Sequence, residues 1–194
     1  MRFHWVVLFM VLTGCSASND VGNGTVSSGE VLSGHRIFLY GDSIRMGYEQ
    51  ELRRLLVGDE VWTNGMVNGG TSNKMATHFE KVQYHQYLGL FGGPIDMFVI
   101  NAGIWDARFR VPLSEYQKNI WTVINGISNA EGIPPHSPKN RRIIILTSTR
   151  YTTEEYNEWL RTETFPSNVE VFDLYQVALD LESPDRTHYN RANS

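Results

Sequence analysis

Cysteine is almost missing from this chain: Cys15 is the only one in 194 residues, so no internal disulfide can form. A basic excess is missing as well. Lys and Arg number 17 against 21 Asp and Glu, a formal charge of -4, which lacks the positive field that holds a phosphate backbone and argues against nucleic acid as a partner. A small neutral or carbohydrate-like substrate is compatible with that balance. There is no internal repeat and no block of like charge. His78 and His85 stand seven apart without a carboxylate pattern or the His-Glu-x-x-His spacing of a zinc site, so they read as helix-face histidines, and neither a metal nor a cofactor is assigned. What is present, 41% hydrophobic and 20% charged residues, suits one globular domain with a real core.

The start of the chain stands apart from that domain. Arg2 precedes the apolar run Trp5 to Leu12, long enough for the core of a signal peptide and too short to span a bilayer. The run ends in Leu12-Thr13-Gly14-Cys15, which resembles the lipobox of bacterial lipoproteins, whose cysteine becomes the lipidated first residue of the mature chain. The resemblance implies a signal peptide over 1–14, a membrane anchor at Cys15 and a place in the periplasm or cell envelope. Residues 15–34 have the Ser, Gly and Asn content of a flexible tether, leaving 35–194 as the folded domain.

From Arg36 onward short β-rich runs alternate with amphipathic stretches, the pattern of a parallel sheet flanked by helices. Strands are expected at Ile37–Tyr40, Glu60–Thr63, Met97–Ile100, Ile143–Leu146 and Val169–Leu174. Tyr48, Leu52, Leu55 and Leu56 recur at helical spacing after the first strand. Further helices are expected over Lys74–Leu90, from Ser114 with Tyr116, Ile120, Val123, Ile124 and Ile127 buried, and from Thr153 to about Arg161. Pro134-Pro135-His136-Ser137-Pro138 must be a loop. Five strands with intervening helices make a flavodoxin-like three-layer α/β/α sandwich, which places its site at the carboxyl ends of the strands.

Polar residues gather at those ends. Gly41-Asp42-Ser43 ends the first strand where a helix begins, an address for a nucleophile, although the tripeptide alone favours an ordinary strand-to-helix turn with Asp42 or Ser43 as its cap. Asn68-Gly69-Gly70 follows the second strand, and Asn101-Ala102-Gly103-Ile104-Trp105-Asp106 the third. Near the C-terminus, Asp185 lies three residues before His188, a spacing that lets the carboxylate accept Nδ1–H and turn Nε2 toward a serine. Arg45 either holds a substrate carboxylate or braces the loop. Trp105 and Tyr48 either line a pocket or belong to the core, and Asp106 reads as a structural acceptor.

In order and spacing these four blocks resemble those of the SGNH, or GDSL, hydrolases over residues 36–190, with Trp105 where the family usually carries an oxyanion asparagine. The variant is similar to PC-esterase-like members. The resemblance implies a serine esterase: Ser43 as nucleophile, His188 as base, Asp185 orienting it, and an oxyanion hole from the N–H groups of Ser43 and Gly69 with Asn101 or Asn68 in place of the missing amide. Asp42, Arg45, Gly70, Gly103 and Trp105 would border the substrate. The expected substrate is a small O-acyl ester, such as an O-acetyl group on a glycan. A non-catalytic glycan-binding module, suggested by Trp105 and the short stretch after His188, and an O-acyltransferase are the alternatives.

Overall fold

The structure, a computed structural model, describes residues 34–64, 70–80, 95–128, 142–148 and 153–179. Five strands form one parallel sheet: β1 (Arg36–Tyr40), β2 (Glu60–Thr63), β3 (Met97–Asn101), β4 (Arg142–Leu146) and β5 (Val169–Phe172), in the order β2-β1-β3-β4-β5. Six helices accompany them among the described residues: α1 (Ser43–Leu55), α2 (Ser72–Glu80), α3 (Ile104–Phe109), α4 (Leu113–Ser128), α5 (Glu154–Thr162) and α6 (Leu174–Leu179). This is the flavodoxin-like order expected from the sequence.

The central strands read as unbroken apolar runs because both of their faces are covered. Ile143 and Ile145 of β4 enter one core with Phe38 and Tyr40 of β1 and Phe98 and Ile100 of β3. Their neighbours Ile144 and Leu146 enter the other, with Ile37, Leu39, Met97 and Val99. The period-two alternation of strand side chains therefore divides each run between two layers. Against the first face pack Met75, Ala76 and Phe79 of α2, Tyr116, Ile120, Val123, Ile124 and Ile127 of α4, and Tyr156, Trp159 and Leu160 of α5. Against the second pack Ile44, Tyr48, Leu52 and Leu56 in and just after α1, and Leu174 and Val177 of α6. Each such side chain, fully buried, contributes about 1.5–3 kcal/mol.

Several boundaries differ from expectation, each for a local reason. β5 ends at Phe172 because Asp173 turns aside to accept Thr147 Oγ1–H at 2.9 Å and the N–H of Gln176 at 3.1 Å, starting α6 where strand was expected. α2 starts at Ser72, ahead of Lys74, because Ser72 is held by Asp106. α4 begins at Leu113, just after Pro112, whose carbonyl accepts from Glu115 and Tyr116. Thr153 takes the N-cap position of α5, which starts at Glu154, without a capping bond from its side chain. Leu55, expected on the buried face of α1, is only half-buried, while Arg45 is buried on that helix. Residues 81–90 of the expected second helix, with His85, and the Pro134–Pro138 loop lie outside the described residues. No described helix is long and apolar enough to cross a membrane.

Candidate active site

The strand order reverses between β1 and β3, and open α/β sheets bind ligands in the crevice beyond the strand ends at such a point. β1 runs out into Gly41-Asp42-Ser43 there, and β3 into Asn101-Ala102-Gly103. Asp42 is the N-cap of α1: fully buried, it accepts the N–H of Ile44 at 2.9 Å. Capping thus falls to the residue before Ser43, and Ser43 opens α1, half-buried, where the helix dipole favours negative charge.

Gly41 is needed for the close passage of this turn. A Cβ there would stand 2.7 Å from Cβ of Arg45 and 3.3 Å from Cβ of Asn101. Asn64, at the end of β2, donates from Nδ2 to the carbonyl of Gly41 at 3.4 Å, and its N–H reaches the carbonyl of Leu39 at 3.2 Å. The turn before Ser43 is therefore held from β2, from β3 and from its own helix. Gly41→Ala is expected to cost about 1–3 kcal/mol by overpacking. Because the yielding backbone carries Ser43, any reaction at that serine should slow by more than the thermal midpoint falls, and parallel rate and melting measurements on the variant check this.

Asn101 is buried. Its Nδ2 donates to the carbonyl of Leu146 at 3.4 Å, and its Oδ1 has no partner among the described residues. Gly103 adopts φ 132, which only glycine takes without strain, and its open side faces Cβ of Ser148. Ser148, fully buried at the end of β4, is locked by two bonds of 2.8 Å to the side chain of Asn157, and its own hydroxyl has no partner among the described residues.

Arg45 is 1% exposed and pairs with Glu49, which also accepts from Nε and Nη2 of Arg53 at 3.1 Å. Arg53 in turn donates to the carbonyl of Val61 in β2. The arrangement braces α1 against the sheet edge. Tyr48 lies beneath it in the core, where burial first and the charge of Asp42 second push its phenol well above the usual range.

Asp106 fastens α3. It accepts the N–H of Ser72 at 3.0 Å and the Ser72 hydroxyl at 2.6 Å, and Asn119 of α4 donates to that same hydroxyl oxygen at 3.0 Å. Burial raises the Asp106 carboxyl pKa above its ordinary value, with the Ser72 donors acting in the opposite direction. Trp105 lies on the outer part of α3, half-buried, stacked on Phe109 at 5.8 Å with the Arg108 guanidinium 4.9 Å from its ring centre. His78 is half-buried edge-on to Tyr40, and burial first, then the charge of Lys74, lower its pKa.

Ser43, Gly41, Asp42, Arg45 and Asn101 thus meet at one strand-end cluster, and Gly103 begins the neighbouring helix. Gly70, at φ 73, leads into α2 with its open side toward Lys74. Asn68, Gly69, Asp185, His188 and Cys15 lie outside the described residues. The sequence reading passed over Asn64, Ser72, Asn119 and Ser148. Their shared signal is a small polar residue at a strand's carboxyl end or on a helix face otherwise apolar. Among the described residues no group of three or more His, Cys, Asp or Glu is placed to hold a metal.

No family model matches the chain. No curated protein sequence matches it either. Among solved structures it is similar to AlinE4, an SGNH-hydrolase family esterase, at 14% identity and a TM-score of 0.56 over 86% of this chain and 87% of that one. The described architecture is that of the SGNH hydrolase fold: one sheet of five parallel strands between helical layers.

Proposed function

We propose that this chain is a serine esterase of the SGNH type that removes small O-acyl groups, foremost O-acetyl, from a glycan. The observation that carries the reading is the position of Ser43: first residue of α1, at the switch point of the sheet, with its helix already capped by Asp42 and Asn101 packed against the turn. The likeness of fold to an SGNH-hydrolase family esterase supports it. In this mechanism His188 takes the proton of Ser43 while the serine oxygen attacks the ester carbonyl, and Asp185 orients the imidazole. The N–H groups of Ser43 and Gly69, with Asn101 or Asn68, meet the oxyanion. The alcohol leaves with the proton returned from His188, and water activated by the same imidazole then releases the acid.

Hydrolysis of p-nitrophenyl acetate by the chain and by its Ser43→Ala and His188→Ala variants tests this. Activity in the parent alone is expected; equal rates in all three would refute the assignment.

The same proposal places the enzyme at a membrane through an acylated Cys15. Acyl chains contribute about 0.8 kcal/mol per buried methylene, so a multiply acylated terminus would hold the domain firmly at the surface. Palmitate labelling in a bacterial host should be lost in Cys15→Ala, and labelling that persists would sink the anchor.

A further inference from the structure

Among the described residues, six of the eight arginines are matched to carboxylates. Arg36 pairs with Glu60, Arg45 and Arg53 with Glu49, Arg54 with Glu51, Arg142 with Glu170, and Arg161 with Asp173 and Glu154. Among the described residues, the arginines without a carboxylate are Arg108 and Arg110. In sequence they flank Phe109, which is 63% exposed and, among the described residues, is the one aromatic of the exposed large hydrophobics. In a chain of net charge -4, two arginines without a carboxylate, flanking an exposed ring in sequence, concentrate positive charge at the end of one short helix.

The local geometry keeps this feature in place. Ile104 and Asp106 point inward, and Asp106 is fixed by Ser72, so the outer side of α3 is held rigidly. Trp105 stacks on Phe109 with an interplanar angle of 23°, and Arg108 lies over the Trp105 ring, giving an aromatic shelf edged by positive charge. Arg110 closes α3 in the left-handed region at φ 54, its N–H donating to the carbonyl of Ala107. Glycine is the residue that this capping position favours, and a residue with a Cβ is strained there. An arginine kept at that cost, beside a second unmatched arginine, points to a task for the side chain. The shelf begins at Trp105, four residues beyond Asn101, and so follows the carboxyl end of β3, the end of the sheet at which β1 delivers Ser43.

We propose that Arg108, Phe109 and Arg110, supported by Trp105, form a subsite for a carboxylate-bearing sugar, so that the substrate is an acidic glycan. The C–H face of a pyranose lies on the Phe109 ring, and a uronate carboxylate accepts from the guanidinium groups, whose planar forks match it in geometry. This rests on the esterase reading and narrows its substrate from any acylated sugar to an anionic one.

The test is equilibrium binding of trigalacturonate, with maltotriose as the neutral control, to the full chain carrying Ser43→Ala, by titration calorimetry. Trigalacturonate should bind more tightly than maltotriose and weaken as salt rises from about 50 to about 300 mM. Adding Arg108→Ala with Arg110→Ala should weaken it about tenfold or more, the loss of one or two charge-assisted bonds, and Phe109→Ala should weaken it severalfold. Arg110→Gly separates recognition from folding: it relieves the left-handed residue and should raise the thermal midpoint while still weakening the trisaccharide. Unchanged affinity in the arginine variants, equal binding of maltotriose, or arginine-dependent binding to phosphatidylglycerol vesicles in place of trigalacturonate would each overturn the proposal. Binding is read without turnover, so the subsite and the nucleophile fail or stand separately.

Discussion

Ser43→Ala should lower hydrolysis of p-nitrophenyl acetate by about four orders of magnitude or more, the loss expected when a nucleophile that acts as a unit with its base is removed. Loss of activity in a serine variant often has a bland cause, a helix end that unravels. Here that cause is addressed in advance, because Asp42 and not Ser43 accepts the N–H of Ile44 at the start of α1. The turn is held in addition by Asn64 on the Gly41 carbonyl and by the packing of Gly41 against Arg45 and Asn101. Alanine is a good residue in a first helical turn, so the thermal midpoint should stay within about 2 °C of the parent. The decisive result is therefore a pair of measurements: a collapsed rate with an unmoved midpoint. A rate that survives would remove Ser43 from the chemistry, whatever the fold resembles.

Asp42→Ala should behave in the opposite manner. It removes the cap and leaves the nucleophile, so it is expected to lower stability by about 1 kcal/mol and to reduce activity only through the looser turn. Together the two variants distinguish the residue that would react from the residue that holds it.

The sheet was legible in the sequence because its central strands bury both faces, and a stretch such as Ile143-Ile144-Ile145-Leu146 has few other places to go in a domain of this size. The helix faces of α1 and α4 were legible from their period, apart from Leu55. What periodicity conceals is a polar residue that is buried because of a partner distant in sequence. Ser72 precedes Asp106 by 34 residues, and nothing in the local pattern of either tells that the two meet. Their meeting also explains why α2 begins two residues before the apolar spacing suggests.

Arg45 is the sharper case. A charged residue in a first helical turn ordinarily faces water, yet this one is buried through Glu49 four residues on, a carboxylate shared with Arg53. The end of β5 was misplaced for a similar reason. Val169 to Leu174 is apolar enough to continue as strand but for Asp173, whose bonds to Thr147 and Arg161 belong to other elements. The sequence also marked Trp105 as a departure at the third block. What it did not mark is that the departure is part of a shelf including Phe109 and two unmatched arginines.

Asp106→Ala is the substitution expected to cost the fold most, about 3 kcal/mol, or a fall of about 6–12 °C in thermal midpoint for a chain of this length. The carboxylate takes the N–H and the hydroxyl of a serine that is itself fully buried, and that serine oxygen also receives Asn119. Removing it strands two buried donors and loosens α2 from α3 at once. Asp106→Asn should cost less, since one carbonyl oxygen remains to accept. The asparagine variant also carries a sign that can be worked out. Burial raises the pKa of Asp106 in the fold, against the opposing donors, so the folded chain keeps its proton to a higher pH than the unfolded chain, where aspartate titrates near about 3.9. Stability of the parent must then decline as pH rises between those two values, because the folded state binds more protons throughout that window. Asparagine cannot titrate, so the gap between parent and variant should narrow as pH rises across it, as read by urea melts at a series of pH values. A gap that widens instead would mean that the Ser72 donors outweigh burial and that the fold is built around the charged carboxylate.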